Sequence, residues 1–289
     1  MKNSAVFLAV ALAAASSSRA QVSVEVQLEQ DQFLAGEPMP AVVRVSNRSG
    51  QTLEFGKDAE WLTFSVESRD GFVVERNGRV PVEGEFSLES SKAAKRPVEL
   101  VPYFNATKPG RYEIIATVRI KEWNGEVSSK PKGFSIVRGA KLWSQEFGVP
   151  RTTGSTNGAP EVRRYTLEQA NYLRSQLRLY MRVTDVADSR TFKVQAIGPM
   201  VSFGDVEHEI DAESNLHVLW RTGARASVYA VFNPDGETIL RQTHDYIETR
   251  PRLVRDERGK FSVAGGVRRI TPNDVPSEAA DDSAKNDKP

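Results

Sequence analysis

Three histidines and several carboxylates lie within residues 206–266, and they are the first candidates for chemistry. Imidazole and carboxylate groups are together the usual ligands of zinc, so His208, Asp211 and His217 are the candidates for a metal site. Their spacing matches no short ligand motif, and His208 and His217 fall on predicted strands, where partly buried histidines are common. We therefore expect no metal ion and no other cofactor.

The segment from Asp211 to Asn215 carries oxygen-bearing side chains at alternate positions, as a calcium-binding loop does. An EF-hand loop also needs glycine at its sixth position and glutamate at its twelfth. Leu216 and Thr222 stand there instead. We expect this segment to be a hairpin turn, whose shape short polar side chains favour.

Motifs for the common catalytic chemistries are missing from the sequence. No Gly-x-Ser-x-Gly elbow, phosphate-binding loop or dinucleotide fingerprint occurs. His244 and Asp245 are adjacent, so on a strand they point to opposite faces and cannot pair with each other. The sequence does not exclude a glycosidase-type pair of carboxylates, because such a pair needs no local motif. We expect the protein not to be an enzyme.

One basic and aromatic cluster follows the middle of the chain. Such side chains could bind an anionic polysaccharide or an acidic partner through bidentate guanidinium contacts. The alternative is a solvated outer face of a helix and a strand. Four tryptophans (residues 61, 123, 143 and 220) could stack on sugars, although such residues more often fill cores. The binding candidates of the cluster are Arg163, Arg164, Tyr165, Arg178, Tyr180 and Arg182.

Composition and the N-terminus indicate the compartment. The 289 residues contain 39 Lys and Arg against 38 Asp and Glu, so no global field steers the chain toward nucleic acid. Lys2, an apolar run over residues 5–15 and Ser18-Arg19-Ala20 predict a signal peptide over residues 1–20. That run is too short to span a bilayer. The chain has no cysteine, which excludes disulfides. We predict a secreted or periplasmic protein without a membrane span.

Alternating apolar residues and turn signals predict two β-rich domains. The first covers residues 21–147, a linker rich in Gly, Thr and Pro covers residues 148–160, and the second domain covers residues 161–270. Residues 271–289 contain no aromatic side chain and predict a disordered tail.

The second domain combines one predicted helix with several strands. Thr166 and Gln169 form the pattern of a capping box, and apolar residues follow at helical spacing, so we expect a short helix over residues 167–175. The period then changes to two, which predicts a strand that ends at Asp185. Residues 227–232 are apolar on both faces, as in a central strand with both faces covered, and a tight turn follows at residues 233–236.

Two resemblances refine this picture. The segments FLAGEPMPAVVRVSNRSGQTLEF and KPGRYEIIATVRI resemble the immunoglobulin-like domains of macroglobulins and bacterial proteinase inhibitors, over residues 22–138. The resemblance implies an antiparallel sandwich. Asp211–Val218 resembles Asp256–Val263, an Asp-rich turn followed by a strand about 45 residues later, and this run resembles repeats of secreted bacterial β-propellers. A propeller needs about four blades, so a compact sandwich with blade-like hairpins is favoured.

These observations predict an all-β protein of two domains, an immunoglobulin-like antiparallel sandwich and an antiparallel β domain with blade-like hairpins and one short helix. The leading functional hypothesis is non-catalytic binding or scaffolding, with another protein or a cell-surface component as partner and no nucleic acid. The alternatives are carbohydrate binding through exposed tryptophans and a protease-inhibitor-like module, which the macroglobulin-type resemblance implies.

Overall fold

The computed structural model describes residues 21–150, 161–172 and 176–275. In these ranges the chain is built from strands with one 3₁₀ turn at Lys121–Trp123, which confirms the all-β prediction. The first eleven strands are β1 (Val22–Leu28), β2 (Gln32–Leu34), β3 (Pro40–Asn47), β4 (Leu53–Phe55), β5 (Leu62–Ser68), β6 (Phe86–Leu88), β7 (Ala93–Glu99), β8 (Gly110–Ile120), β9 (Gly125–Ser128), β10 (Lys132–Val137) and β11 (Ala140–Gly148). The other ten are β12 (Val162–Tyr172), β13 (Gln176–Asp185), β14 (Thr191–Met200), β15 (Glu207–Ile210), β16 (Leu216–Arg221), β17 (Ala226–Phe232), β18 (Thr238–Asp245), β19 (Arg252–Arg255), β20 (Phe261–Ala264) and β21 (Val267–Arg269).

Several predicted segments fall on residues that the structure does not describe. They are the signal peptide over residues 1–20, residues 151–160 of the linker and residues 276–289 of the tail. The first residues of the predicted tail are described. Val275 pairs with Arg241 of β18, and Asp274 accepts a hydrogen bond of 2.9 Å from Arg268.

The chain divides into two compact units, and each takes several separate pieces of the sequence. Of the described residues, unit 1 comprises 21–29 together with Pro40–Phe104 and Tyr112–Gly133. Unit 2 comprises Gln30–Met39, Asn105–Arg111 and the described residues of 134–275.

Unit 1 contains antiparallel sheets that bury one face each. Strand β3 lies between β1 and β7, strand β8 lies between β5 and β9, and β4 pairs with β6. Along β1 the valines at positions 22, 24 and 26 are buried while the intervening polar residues are exposed, because successive side chains of a strand point to opposite faces. Phe55, Trp61 and Phe86 form an aromatic cluster with ring centroids 5.4–5.6 Å apart.

Unit 2 is built on two sheets that share one apolar core. The four-stranded sheet has the order β11-β12-β13-β14, and the five-stranded sheet has the order β15-β16-β17-β18-β21. Their inner faces meet through Tyr165, Leu179 and Met181 on one side and Val218, Trp220 and Phe232 on the other, all at most 1% exposed. As predicted, β17 is a central strand with buried residues on both faces.

Part of the outer face of each sheet is also covered by apolar contacts. Leu34 of β2 packs on Ala170, Tyr180 and Val194 of the four-stranded sheet. The hairpin β19–β20 packs on Leu219, Tyr229 and Val231 of the five-stranded sheet through Leu253 and Val263. Strands covered on both faces read as continuous apolar runs rather than alternating ones.

The predicted helix over residues 167–175 is wrong for its described part, because residues 167–172 belong to β12. Strand β12 pairs along its length with β11 and β13, and these ladders outweigh a weak local helix preference. Thr166 is no helix cap; it is buried and lies opposite Arg182. Strand β13 ends at Asp185, as predicted.

The repeated Asp-rich segments form the same kind of turn. The Asp211 carboxylate accepts hydrogen bonds from the backbone N–H and the side-chain amide of Asn215. The Asp256 carboxylate accepts from the backbone N–H groups of Arg258 and Lys260. In both turns the aspartate carboxylate accepts hydrogen bonds from backbone N–H groups that have no strand partner. The sequence repeat therefore reflects two turns of the same type.

Candidate functional site

A cleft of about 310 Å³ opens beside the hairpin β19–β20 in unit 2. Its walls come from the loop before β15, the end of β16, the start of β17, the loop after β18 and the start of β19. Sequence-distant segments meet here because β16, β17 and β18 are neighbours in one sheet. The volume is at the lower end of the range for small-ligand sites, about 300–1,000 Å³.

Four arginines line this cleft, and we call them the cleft arginines: Arg221, Arg225, Arg250 and Arg252. Only Arg221 makes a side-chain hydrogen bond within the described chain, from Nη2 to the backbone carbonyl of Ala224 at 2.8 Å. No carboxylate of the described residues forms an ion pair with any of the four. Their guanidinium donors are therefore available to a ligand.

Aromatic rings stand beside two of the cleft arginines. The Arg221 guanidinium lies 5.2 Å from the centroid of the Phe203 ring, and that of Arg250 lies 5.8 Å from the Tyr246 ring. Phe203 is 68% exposed. Cation–π contacts at such distances hold a guanidinium in place and leave its donors free.

Two carboxylates, those of Asp205 and Glu207, also line the cleft. Glu207 is fixed, because its Oε2 accepts a hydrogen bond of 2.7 Å from the backbone N–H of Leu253. Asp205 is exposed at the rim. The cleft therefore carries four positive charges against two negative ones, and it offers both hydrogen-bond donors and acceptors.

The loop after β18 is held by backbone contacts. The N–H of Tyr246 donates to the carbonyl of Arg225 at 2.8 Å, and the N–H of Gly266 donates to the carbonyl of Thr249 at 3.0 Å. Pro251, between two cleft arginines, is buried. The arginine positions therefore rest on an ordered scaffold, which reduces the entropy lost on binding.

Beneath the cleft, Ser227 of β17 lies opposite His244 of β18, and both are buried. Ser227 also lines the cleft. Burial lowers the pKa of His244, and the nearby Arg268 lowers it further, against smaller opposing effects of Asp274 and Asp245. The imidazole is thus neutral at pH 7, and the charge of the site resides in arginines and carboxylates.

Of the predicted binding residues, Arg163, Arg164 and Tyr165 are engaged within unit 2. Arg163 is buried and forms ion pairs of 2.7 Å with Glu161 and with Asp235. Arg164 pairs with Glu146 at 2.9 Å and with Asp188 at 3.0 Å. Tyr165 is buried, and its hydroxyl lies 2.7 Å from the carbonyl oxygen of Asn233 and 3.1 Å from that of Ser214. These contacts stabilise turns and sheet packing.

Arg178, Tyr180 and Arg182 lie on one face of β13, beneath residues 30–39. Arg178 donates to Gln30 at 3.1 Å, and its guanidinium lies 3.5 Å from the centroid of the Tyr172 ring. Arg182 contacts Glu168 at 3.3 Å and the carbonyl of Ala35 at 2.9 Å. Tyr180 is fully buried, and burial raises its pKa to about 12. These three side chains therefore contact residues 30–39 of the same chain.

Of the three metal candidates, Asp211 and His217 lie together, whereas His208 lies apart from them. His217 is buried and bridges two groups: Nδ1 lies 2.7 Å from the Tyr229 hydroxyl, and Nε2 lies 3.0 Å from Asp211 Oδ2. His208 pairs with Val218 and so lies on the opposite face, where its ring stacks on Trp143 at 4.3 Å. Within the described ranges no group of three His, Cys, Asp or Glu side chains could hold a metal ion.

The bridge from Asp211 through His217 to Tyr229 is closed to a ligand by the hairpin β19–β20. Phe261 of β20 lies 5.0 Å from the His217 ring, centroid to centroid. Burial raises the pKa of Tyr229 to about 12. This bridge therefore ties the Asp211 turn to β17 beneath the hairpin that carries Arg252.

The tryptophans serve mainly as packing groups. Trp61 and Trp220 are 2% and 1% exposed, and Trp220 donates a hydrogen bond of 3.0 Å to the carbonyl of Pro199. Trp143 stacks on His208, and Trp123 closes the 3₁₀ turn. Trp220 also lines the cleft, but it is almost fully buried. The cleft rings that sequence reasoning missed are Phe203 and Tyr246. Two short sequence patterns could have indicated these residues. Arginines flank the turn between β16 and β17, in RTGAR at 221–225, and two arginines enclose Pro251 just before β19, in RPR at 250–252.

Comparisons with known proteins add little. No family model matches the chain, and no curated protein is significantly similar in sequence. The crystal structure of Spo0M, a sporulation control protein from Bacillus subtilis, is 9% identical, with a TM-score of 0.32 over 61% of this chain and 89% of that one. Among the described residues no helix has the length and hydropathy required to cross a bilayer.

Proposed function

We propose that the chain is a secreted or periplasmic, non-catalytic binding protein whose ligand presents an anionic group to the cleft arginines. The observation that carries this proposal is that four arginines converge on one concave site without ion-pair partners among the described residues. Guanidinium groups bind carboxylate, sulfate and phosphate oxygens by paired, charge-assisted hydrogen bonds.

The contrast with other arginines of unit 2 supports this proposal. Arg163, Arg164 and Arg182 each have carboxylate partners within the chain. These three arginines are paired within the chain, whereas no cleft arginine has a carboxylate partner among the described residues.

Arginine is also suited to binding rather than to proton transfer. A guanidinium stays protonated at physiological pH and offers donors only. The buried imidazole of His244 beneath the cleft is neutral because of its lowered pKa. The immunoglobulin-like resemblance of residues 22–138 is in keeping with a binding protein, and the predicted signal peptide is the basis for the secreted or periplasmic location.

Calorimetric titration of the purified protein with a panel of anions tests this function. The panel contains inorganic phosphate, inorganic sulfate, octaglutamate and uronic-acid oligosaccharides. We expect at least one to bind, and the double variant Arg250→Ala/Arg252→Ala to weaken that binding at least tenfold, since each charge-assisted contact contributes about 1.5–3 kcal/mol.

The matched control is Arg258→Ala, which removes an exposed arginine of the β19–β20 turn that does not line the cleft. This variant should bind as the wild type does. If no anion binds, or if the double variant and the control lose affinity equally, the cleft is not an anion site and the proposal fails.

A further inference from the structure

We propose that the ligand of the cleft is an acidic saccharide, a sugar ring that bears a carboxylate. This inference rests on the proposed anion-binding function and specifies its ligand class. It depends on the groups that stand next to the cleft arginines rather than on the arginines alone.

The cleft combines hydrogen-bond donors with hydrogen-bond acceptors. Arginine offers donors only, and ionised Asp205 and Glu207 offer acceptors only. Phosphate or a polyanionic peptide presents mostly acceptors and is repelled by the two carboxylates. A saccharide satisfies both sets, because each hydroxyl donates one hydrogen bond and accepts others. Glu207 is held in place by Leu253 at 2.7 Å, so this acceptor is oriented before a ligand arrives.

The cleft also carries an exposed aromatic ring, that of Phe203. A phenylalanine that is 68% exposed leaves most of its apolar surface in water, which forgoes the free energy that burial provides. The apolar C–H face of a sugar ring can cover such a surface. The Arg221 guanidinium is 5.2 Å from the ring centroid, so a carboxylate on a ring stacked there comes within reach of the cleft arginines.

The size of the cleft and the net charge of the chain favour a small ligand. A volume of about 310 Å³ suits a small ligand or the end of a chain. Nucleic acids and other long polyanions are recognised by extended basic stripes and strongly positive domains, whereas this chain has a formal net charge of +1. Recognition is therefore local, as needed for one or two charged sugar units.

Calorimetry with matched probes tests the inference. The acidic probes are trigalacturonate and a glucuronate-containing hexasaccharide, the neutral probe is trigalactose, and octaglutamate and inorganic phosphate are the competing anions. We expect one acidic saccharide to bind at least tenfold more tightly than trigalactose and than either competing anion, since removal of a charged partner costs at least that factor.

Variants separate the two parts of the site. Phe203→Ala should weaken binding of the acidic saccharide about fivefold by removing the stacking surface, and Arg258→Ala should leave it unchanged. Phe203 is largely solvent-exposed, so its replacement spares the core.

The outcomes distinguish this inference from the proposed function. If octaglutamate or phosphate binds at the cleft arginines at least as tightly as the acidic saccharides, the ligand is another anion: the inference fails and the proposed function stands. If trigalactose binds as tightly as the acidic saccharides, the carboxylate is irrelevant and the inference fails. If none of the anions binds, both fail.

Discussion

Glu207 accepts, through Oε2, a hydrogen bond of 2.7 Å from the backbone N–H of Leu253, a residue 46 positions later in the chain. This bond joins β15 to β19 across one side of the cleft. It gives Glu207 two roles, since the same carboxylate lines the cleft and fixes the strand that begins with Arg252.

Replacement of Glu207 by Ala should therefore loosen β19. A hydrogen bond to a charged acceptor contributes about 1.5–3 kcal/mol, so exchange of the Leu253 amide hydrogen should accelerate about tenfold or more. Glu209→Ala is the control, because Glu209 is an exposed carboxylate on the same strand. Native-state hydrogen exchange followed by NMR measures both, and an unchanged Leu253 rate in Glu207→Ala would contradict the anchoring role.

The Asp211 carboxylate should contribute stability that is lost in acid. Burial alone raises its pKa, but hydrogen bonds from His217 and Asn215 outweigh burial and hold the pKa below its ordinary value of 3.8. Because the folded-state pKa is lower than the unfolded one, the contribution is fully present above pH 3.8 and disappears as the pH falls through the folded-state pKa.

Asp211→Asn should consequently cost about 1–2 kcal/mol at neutral pH. The difference from wild type should shrink in the acid range below the ordinary carboxyl pKa. Urea unfolding at several pH values measures this difference. Glu213→Gln, in the same turn and exposed, is the control. A constant difference between wild type and Asp211→Asn at all pH values would show that the charge of Asp211 is unimportant.

His208 and His244 should make the protein less stable as the pH falls below neutrality. Burial lowers the pKa of both imidazoles below the ordinary value of 6.5. The unfolded chain therefore binds protons first, so this stability is present above pH 6.5 and is lost as the pH falls toward the folded-state pKa.

His244→Gln should flatten this part of the pH dependence, and His208→Gln should do so independently. Urea midpoints between about pH 8 and pH 5 are the measurement. If the urea midpoint of a variant depends on pH as steeply as that of the wild type, the histidine removed in that variant does not cause the loss of stability.

Gly236, in the predicted turn at residues 233–236, should be intolerant of a side chain. Its φ is +79°, and an added Cβ would lie 2.9 Å from the Cβ of Lys193 and 3.1 Å from Val183. The left-handed backbone alone costs alanine about 1–2 kcal/mol, and the contact adds to that cost.

Gly259 provides the comparison within the same unit. Its φ is +85°, but an added Cβ would meet only the flexible end of Arg255, at 3.2 Å. Gly236→Ala should therefore lower the free energy of unfolding more than Gly259→Ala does, as measured by urea denaturation. Equal losses would show that the contact with Lys193 relaxes freely.

The sequence predicted those parts of the fold that depend on local pattern. Alternation identified β1, and the run over residues 227–232 identified the central strand β17, because side-chain periodicity reflects which faces are covered. The apolar spacing after Thr166 predicted a helix wrongly. The apolar residues of β12 lie on both faces of the sheet: Leu167 packs in the inner core, and Ala170 packs beneath Leu34 on the outer face. A local sequence pattern cannot show that a segment distant in sequence covers the outer face.

The candidate site could not be predicted for a similar reason. Arg221 and Arg225 flank the turn between β16 and β17. Arg250 and Arg252 lie at the end of the connection from β18 to β19. Only the pairing of β16, β17 and β18 brings these two segments together. The cluster that sequence reasoning singled out is denser in arginine, but its ion pairs depend on partners such as Asp235, 72 residues from Arg163. Charge density along a sequence does not distinguish a structural arginine from a free one.

Unit 2 includes residues 30–39, and this has a consequence for how the protein is made. Arg182 donates to the carbonyl of Ala35 across 147 positions of sequence, and Leu34 is buried against Tyr180 and Val194. During synthesis from the N-terminus this apolar segment emerges long before the strands that shelter it. It must stay unaggregated while well over a hundred further residues are translated, at roughly 5–20 per second, so a chaperone that holds extended apolar segments has a window of several seconds in which to act.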